Sequence, residues 1–153
     1  MLYICLKIIH ILSAALLLTC MGYSYHLWKY TQSPRDGAIR GERIQTLTWL
    51  AIIPLAIIQL ATGFTMISIN NEDLSQLWIS GSVIGFVTVI GGWLTFVYFL
   101  LLSQQIEVEG YENSSFGQWS QRGLFYRRVQ SMMLSVCALS ILVMIFFMAN
   151  KVA

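Results

Sequence analysis

His10 is the residue in this chain best suited by type and position to do chemistry. An imidazole nitrogen ligates haem iron, and imidazole with thioether sulfur suits copper in its reduced state. Folded as helices, the apolar runs described below bring Met66, Met144 and Met148 to a similar depth, with Cys5 nearby. Gln59, Thr62, Gly63 and Met66 follow i, i+3, i+4 and i+7, so a helix sets them along one side. An unpaired amide near the bilayer midplane is costly, so Gln59 must face the bundle or a polar ligand. The expected cofactor contacts are therefore His10, Gln59, Thr62, Gly63, Met66 and Met148, with His10 the metal ligand and haem b or copper the group held. The blander alternatives are an interhelical hydrogen bond for Gln59, worth about 1 kcal/mol, and a simple anchoring role for His10. His26 lies 16 residues from His10, about 24 Å along a helix, so the two cannot grip one haem within one chain.

Four long uncharged runs must position these residues, at 8–28, 44–71, 74–106 and 129–150. A bilayer core of roughly 30 Å needs about 20 helical residues, and each run reaches that length. The expected fold is all-α: a four-helix transmembrane bundle with helices near 2–30, 43–69, 75–106 and 123–150. With 153 residues, 57% hydrophobic and 10% charged, the chain forms a single transmembrane domain, 1–153, and leaves no room for a separate soluble one.

Charge placement orients the bundle. Of nine Lys and Arg residues, seven lie in the first and third connections, at Lys29, Arg35, Arg40, Arg43, Arg122, Arg127 and Arg128. Lys7 and Lys151 lie on the other side, with Glu72 and Asp73. Cytoplasmic loops retain Lys and Arg, so both termini are expected on the outer, periplasmic side of a bacterial inner membrane. Cys5, Cys20 and Cys137 are scattered in or beside apolar runs, and neither a disulfide framework nor a zinc pair follows; they read as small buried hydrophobes. Lys7 and the Leu17-Leu18-Thr19-Cys20 stretch loosely resemble a lipoprotein signal. The apolar run continues to Trp28, however, which predicts a retained span.

Within the spans, Pro54 removes a backbone donor and predicts a kink in the second helix. Gly81, Gly85, Thr88, Gly92 and Thr95 alternate steps of four and three along the third helix. Small residues let membrane helices approach closely, so this stripe should pack inside the bundle. Ser131, Ser135 and Ala138 offer a matching row on the last helix. The cluster Ser33-Pro34-Arg35-Asp36-Gly37 reads as a turn that ends the first helix. In the third connection, Phe116, Trp119, Phe125 and Tyr126 alternate with Gln and Arg, as in a segment lying on the inner membrane surface or meeting a partner. The triplet Asn113-Ser114-Ser115 matches a glycosylation acceptor but falls on the cytoplasmic side.

Ion or proton translocation needs charged groups within the membrane, and none lies near the midplane here. Nor does any nucleophile–base pair or phosphate loop stand out. The expected partners are the lipid bilayer and a membrane protein or second copy, not nucleic acid.

The segment 7–14, Lys-Ile-Ile-His-Ile-Leu-Ser-Ala, resembles the opening of a family of small bacterial integral membrane proteins of unknown function. Trp49, Pro54 and Gln59-Leu60-Ala61-Thr62-Gly63 continue the resemblance, followed by Trp78, Gly92-Trp93, Gln104, Met148 and Lys151. The opening also resembles, distantly, the copper-resistance D membrane proteins and the four-helix membrane protoporphyrinogen oxidase, which binds haem. Where that oxidase carries His and Lys after the Trp of its third helix, this chain has Ser80 and Ser82 after Trp78; Trp93 stands near its deeper His. Where the closer family implies an acidic residue ahead of Trp49, this chain has Thr48. The functions expected are thus a haem- or copper-binding redox or cofactor-handling protein acting through His10, or else a non-catalytic accessory or assembly subunit of a larger complex.

Overall fold

The computed structural model describes residues 1–31, 34–73, 75–111 and 121–149. Among them every regular element is helical: α1 (Leu2–Lys29), α2 (Pro34–Leu47), a π-helical turn (Thr48–Ile52), α3 (Ile53–Ile69), α4 (Leu77–Tyr111) and α5 (Gln121–Ala149). Among the described residues, four stretches are long and apolar enough to cross a membrane: Leu2–Lys29, Asp36–Ile69, Leu77–Gln105 and Gln121–Phe146. Exposed Leu, Ile, Val and Phe side chains cover their outer surfaces, as lipid-facing helices require.

The second helix was expected from residue 43 but begins at Pro34, because the presumed turn cluster is itself helical from there. Proline suits a first helical turn, where its missing N–H costs nothing, and Asp36 in that turn favours the helix dipole. The polar stretch α2 thus runs straight into the apolar α3 through the π turn. Pro54 cannot donate to a carbonyl one turn back, and the chain accommodates it by widening the preceding turn: the Ile53 N–H bonds to Thr48 O, five residues earlier. Thr48 is buried there, donating to Ile44 O at 2.8 Å and accepting from the Trp93 indole N–H at 3.2 Å.

The helix α4 is the central one, with 39% of its apolar window buried against 11–17% for the others. Its Phe86, Val89, Trp93, Phe96 and Leu100 form the core with Leu17 and Met21 of α1 and Ile44 and Ile52 of the second span. Packing is pairwise, α1 on α3 and α4 on α5. Within the expected glycine stripe, Gly85 and Gly92 meet α5, at Met144 and at Cys137 and Met133. Thr88, by contrast, is exposed. The matching row expected on α5 does not face α4: Ser131, Ser135 and Ala138 are all exposed. Glycine notches are filled by side chains rather than met by other small residues, and Cys137 and the flexible Met144 do that here.

The two pairs are locked together at the end carrying Arg40. Trp28 Nε1 donates to Gln130 Oε1 at 2.6 Å, and Gln130 Nε2 to Ser103 Oγ at 3.3 Å. Gln104 Nε2 donates to Gly37 O and Ala38 O at 3.1 and 3.2 Å. A Cβ on Gly41 would collide with the Gln104 amide and push it off these two carbonyls. Arg40 and Arg127 donate to Tyr30 O at 2.8 Å and Thr31 O at 3.4 Å, capping the carbonyl end of α1. Arg127 also lies 5.3 Å from the centre of the Trp28 ring. Of the third connection, Phe125 and Tyr126 belong to α5, while Phe116, Trp119 and the triplet 113–115 lie outside the described residues.

Candidate functional site

At the opposite end, carrying Lys7, α1, α3 and α4 line a half-open cavity of about 400 Å³. The volume lies in the range of small-molecule sites, roughly 300–1,000 Å³. His10 of α1, Gln59, Gly63 and Met66 of α3, and Met144 of α5 all line it. Of these, His10, Met66 and Met144 are the residues expected at one depth, and Gln59 and Gly63 those expected on the same face of their helix as Met66. Its walls are otherwise mainly apolar, with Phe64, Val83 and Phe86 among them, while Lys7, Asn70 and Glu72 bring polar groups.

The polar cluster is built where α1 packs on α3. Thr62 Oγ1 donates to Ile58 O at 2.8 Å, which uses its one proton. With the proton there, Thr62 Oγ1 accepts from His10 Nδ1–H, also at 2.8 Å, in the tautomer that matches the Gln59 amide donor on the other ring nitrogen. The remaining ring nitrogen, Nε2, carries the lone pair and accepts from Gln59 Nε2–H at 2.8 Å. Gln59 Oε1 in turn accepts from Ser13 Oγ–H at 2.6 Å. His10 O stands 3.0 Å from the same hydroxyl as a second acceptor. Among the described residues no buried side-chain nitrogen or oxygen lacks a partner, so the cost of placing an amide and an imidazole in a membrane interior is met. Gly63 is what lets the ring lie so close to α3, since a Cβ there would sit 3.3 Å from His10 Cε1.

The other expected contacts fall differently. The side chain of Met148 lies outside the described residues. Cys5 is exposed and does not line the cavity. His26 is exposed near the far end of α1, its ring centre 4.5 Å from that of Tyr30. Ser13 was not expected as a site residue; it lies three positions after His10 and bonds across to the other helix. Tyr3 was also missed: its hydroxyl accepts from Asn70 Nδ2 at 3.2 Å beside the cavity. Between α3 and α4, the Ser75 backbone N–H donates to Asp73 Oδ1 at 3.0 Å and lowers that carboxyl's pKa.

No group of three or more His, Cys, Asp or Glu side chains among the described residues could hold a metal ion. A metal at this end would depend on His10 with thioethers, or on His10 as the axial ligand of a larger group. The family described as Predicted integral membrane protein (DUF2269) matches residues 4–152, and the chain belongs to it. No match was found among curated proteins or solved structures.

Proposed function

We propose that this member of the family is a cofactor-binding membrane protein whose cavity at the Lys7 end would hold haem b, with His10 Nε2 the atom that would bind its iron. One observation carries the reading: Thr62 Oγ1 and Gln59 Nε2 each lie 2.8 Å from a ring nitrogen of His10, an arrangement that suits a proton on Nδ1 and a lone pair on Nε2, beside a cavity that His10 itself lines. Ligating histidines are commonly oriented in this way, by a second bond at the other ring nitrogen. The surroundings fit the group. Apolar walls suit a macrocycle, Lys7 suits an acidic edge, and Met66 and Met144 are available thioethers. When bound, haem supplies one-electron chemistry. The chain's own residues bind it, orient it and keep Nδ1 protonated. Copper in its reduced state is the second candidate, since His10, Met66 and Met144 line the same cavity.

The seven-to-two bias of Lys and Arg supports a bacterial inner-membrane protein with both termini outside, which puts this cavity in the outer half of the bilayer. An accessory-subunit role is favoured by a different observation. Gly81, Gly85 and Thr88 form, with Leu139, Ser140 and Val143, an open groove of about 400 Å³ where a partner helix could pack.

The test is the absorption spectrum of the purified protein. Wild type and His26→Ala should carry a Soret band, and His10→Ala should lose it. Protein that takes up neither haem nor copper, or that keeps its chromophore after His10→Ala, would leave the accessory role as the better reading.

A further inference from the structure

We propose that Gln59 is the gate of this site: its amide occupies His10 Nε2 until a ligand displaces it. The inference rests on the haem reading above and concerns how the site is controlled. Nε2 is not open in the structure; it accepts from Gln59 Nε2–H at 2.8 Å. A metal centre approaching that nitrogen must break this bond, since one lone pair cannot serve both. On binding, the iron–nitrogen bond forms, the amide hydrogen bond breaks, and the proton stays on His10 Nδ1, still donated to Thr62 Oγ1.

The geometry makes the displacement cheap. Ser13 holds Gln59 Oε1 at 2.6 Å but has a second acceptor, His10 O, at 3.0 Å. Releasing Gln59 therefore strands no hydroxyl, and the amide can turn into the cavity that Gln59 already lines. Thr62 keeps its own bonds throughout, so the tautomer needed for ligation is present before and after. Gln59 and Thr62 thus act on His10 in opposite directions, one blocking Nε2 and the other preparing it.

The opposite signs give the test. Hemin is titrated into the full-length protein in lipid nanodiscs, comparing wild type with Gln59→Leu, Ser13→Ala and Thr62→Val. Gln59→Leu keeps the volume and removes the donor, so hemin should bind faster and roughly two- to tenfold more tightly, the factor carried by one neutral hydrogen bond. Ser13→Ala removes one tether of the amide and should move affinity the same way by less, which keeps the idea testable if Gln59→Leu does not fold. Thr62→Val should weaken binding. A side chain with a merely structural role would lower affinity in every variant.

Nitrogen-15 NMR of the histidine-labelled His26→Gln protein, with one histidine left, reads the resting state directly. A protonated Nδ1 and a hydrogen-bonded, unprotonated Nε2 are expected; a protonated Nε2 would overturn the gate. Hemin that binds wild type through His10, yet no more tightly to Gln59→Leu and Ser13→Ala, also overturns it while leaving the haem reading standing. Hemin that binds neither wild type nor the variants removes both.

Discussion

Replacing Gly92 with alanine places a Cβ 2.8 Å from Cys137 Sγ and 3.8 Å from Met133 O, where α4 crosses α5. The first distance is roughly 1 Å inside the optimal separation of about 3.5–4.0 Å for non-bonded carbons. Cys137 is buried and its thiol donates to Val89 O at 3.4 Å, so the sulfur cannot move without giving up that bond. Overpacking of this kind costs about 1–3 kcal/mol, and the better helix propensity of alanine returns about 1 kcal/mol. Gly92→Ala should therefore destabilise by about 1 kcal/mol, within a range of about 0–2 kcal/mol. At Gly85 the corresponding Cβ lies 3.4 Å from Met144 Cβ and Cγ, and methionine adapts easily. Gly85→Ala should be neutral or slightly stabilising. Adding Cys137→Ala to Gly92→Ala moves a group from one side of the contact to the other and should recover about 1 kcal/mol of coupling. The assay is reversible unfolding in mixed detergent micelles, followed by tryptophan fluorescence and circular dichroism through the full double-mutant cycle. Additive effects at positions 92 and 137, or Gly92→Ala at least as stable as Gly85→Ala, would refute the close approach of α4 to α5 at this point.

Gln130→Leu should destabilise by about 1–3 kcal/mol, because it leaves the Trp28 indole N–H without the acceptor it now reaches at 2.6 Å; the same unfolding assay reads the loss. With native cysteines replaced, a single cysteine at position 36 should react with a membrane-impermeant thiol reagent only from the cytoplasmic side. Labelling from outside in intact cells would reverse the orientation of the bundle.

Much of the candidate site's arrangement could be read before any fold was known, because helical periodicity is rigid. The i, i+3, i+4 spacing put Gln59, Thr62 and Gly63 on one side of their helix, and all three meet His10. Depth along each span brought Met66 and Met144 to the same cavity. Rotation of one helix against another is not written in spacing. Membrane serines usually bond within their own helix, as Ser24 does to Cys20 O, so nothing marked Ser13 as reaching Gln59, 46 residues away. The row Ser131, Ser135 and Ala138 has the right periodicity and faces outward. What decided the contact was the fit of Cys137 and Met144 into glycine notches, which depends on side-chain shape. The helical start at Pro34 was missed for another reason: a proline–glycine cluster is equally good as a turn and as the polar first turns of a helix.

Resonance Raman spectroscopy of the ferrous haem-loaded protein tests the central claim most directly, because an iron–histidine stretching band reports the axial bond itself. Loading the His26→Gln protein leaves His10 as the one histidine, so nitrogen-15 labelling of histidine should shift that band. The band should vanish in His10→Ala protein exposed to the same haem. A haem spectrum with no isotope-sensitive histidine band, or a band that survives His10→Ala, would contradict the assignment of His10 as the ligand.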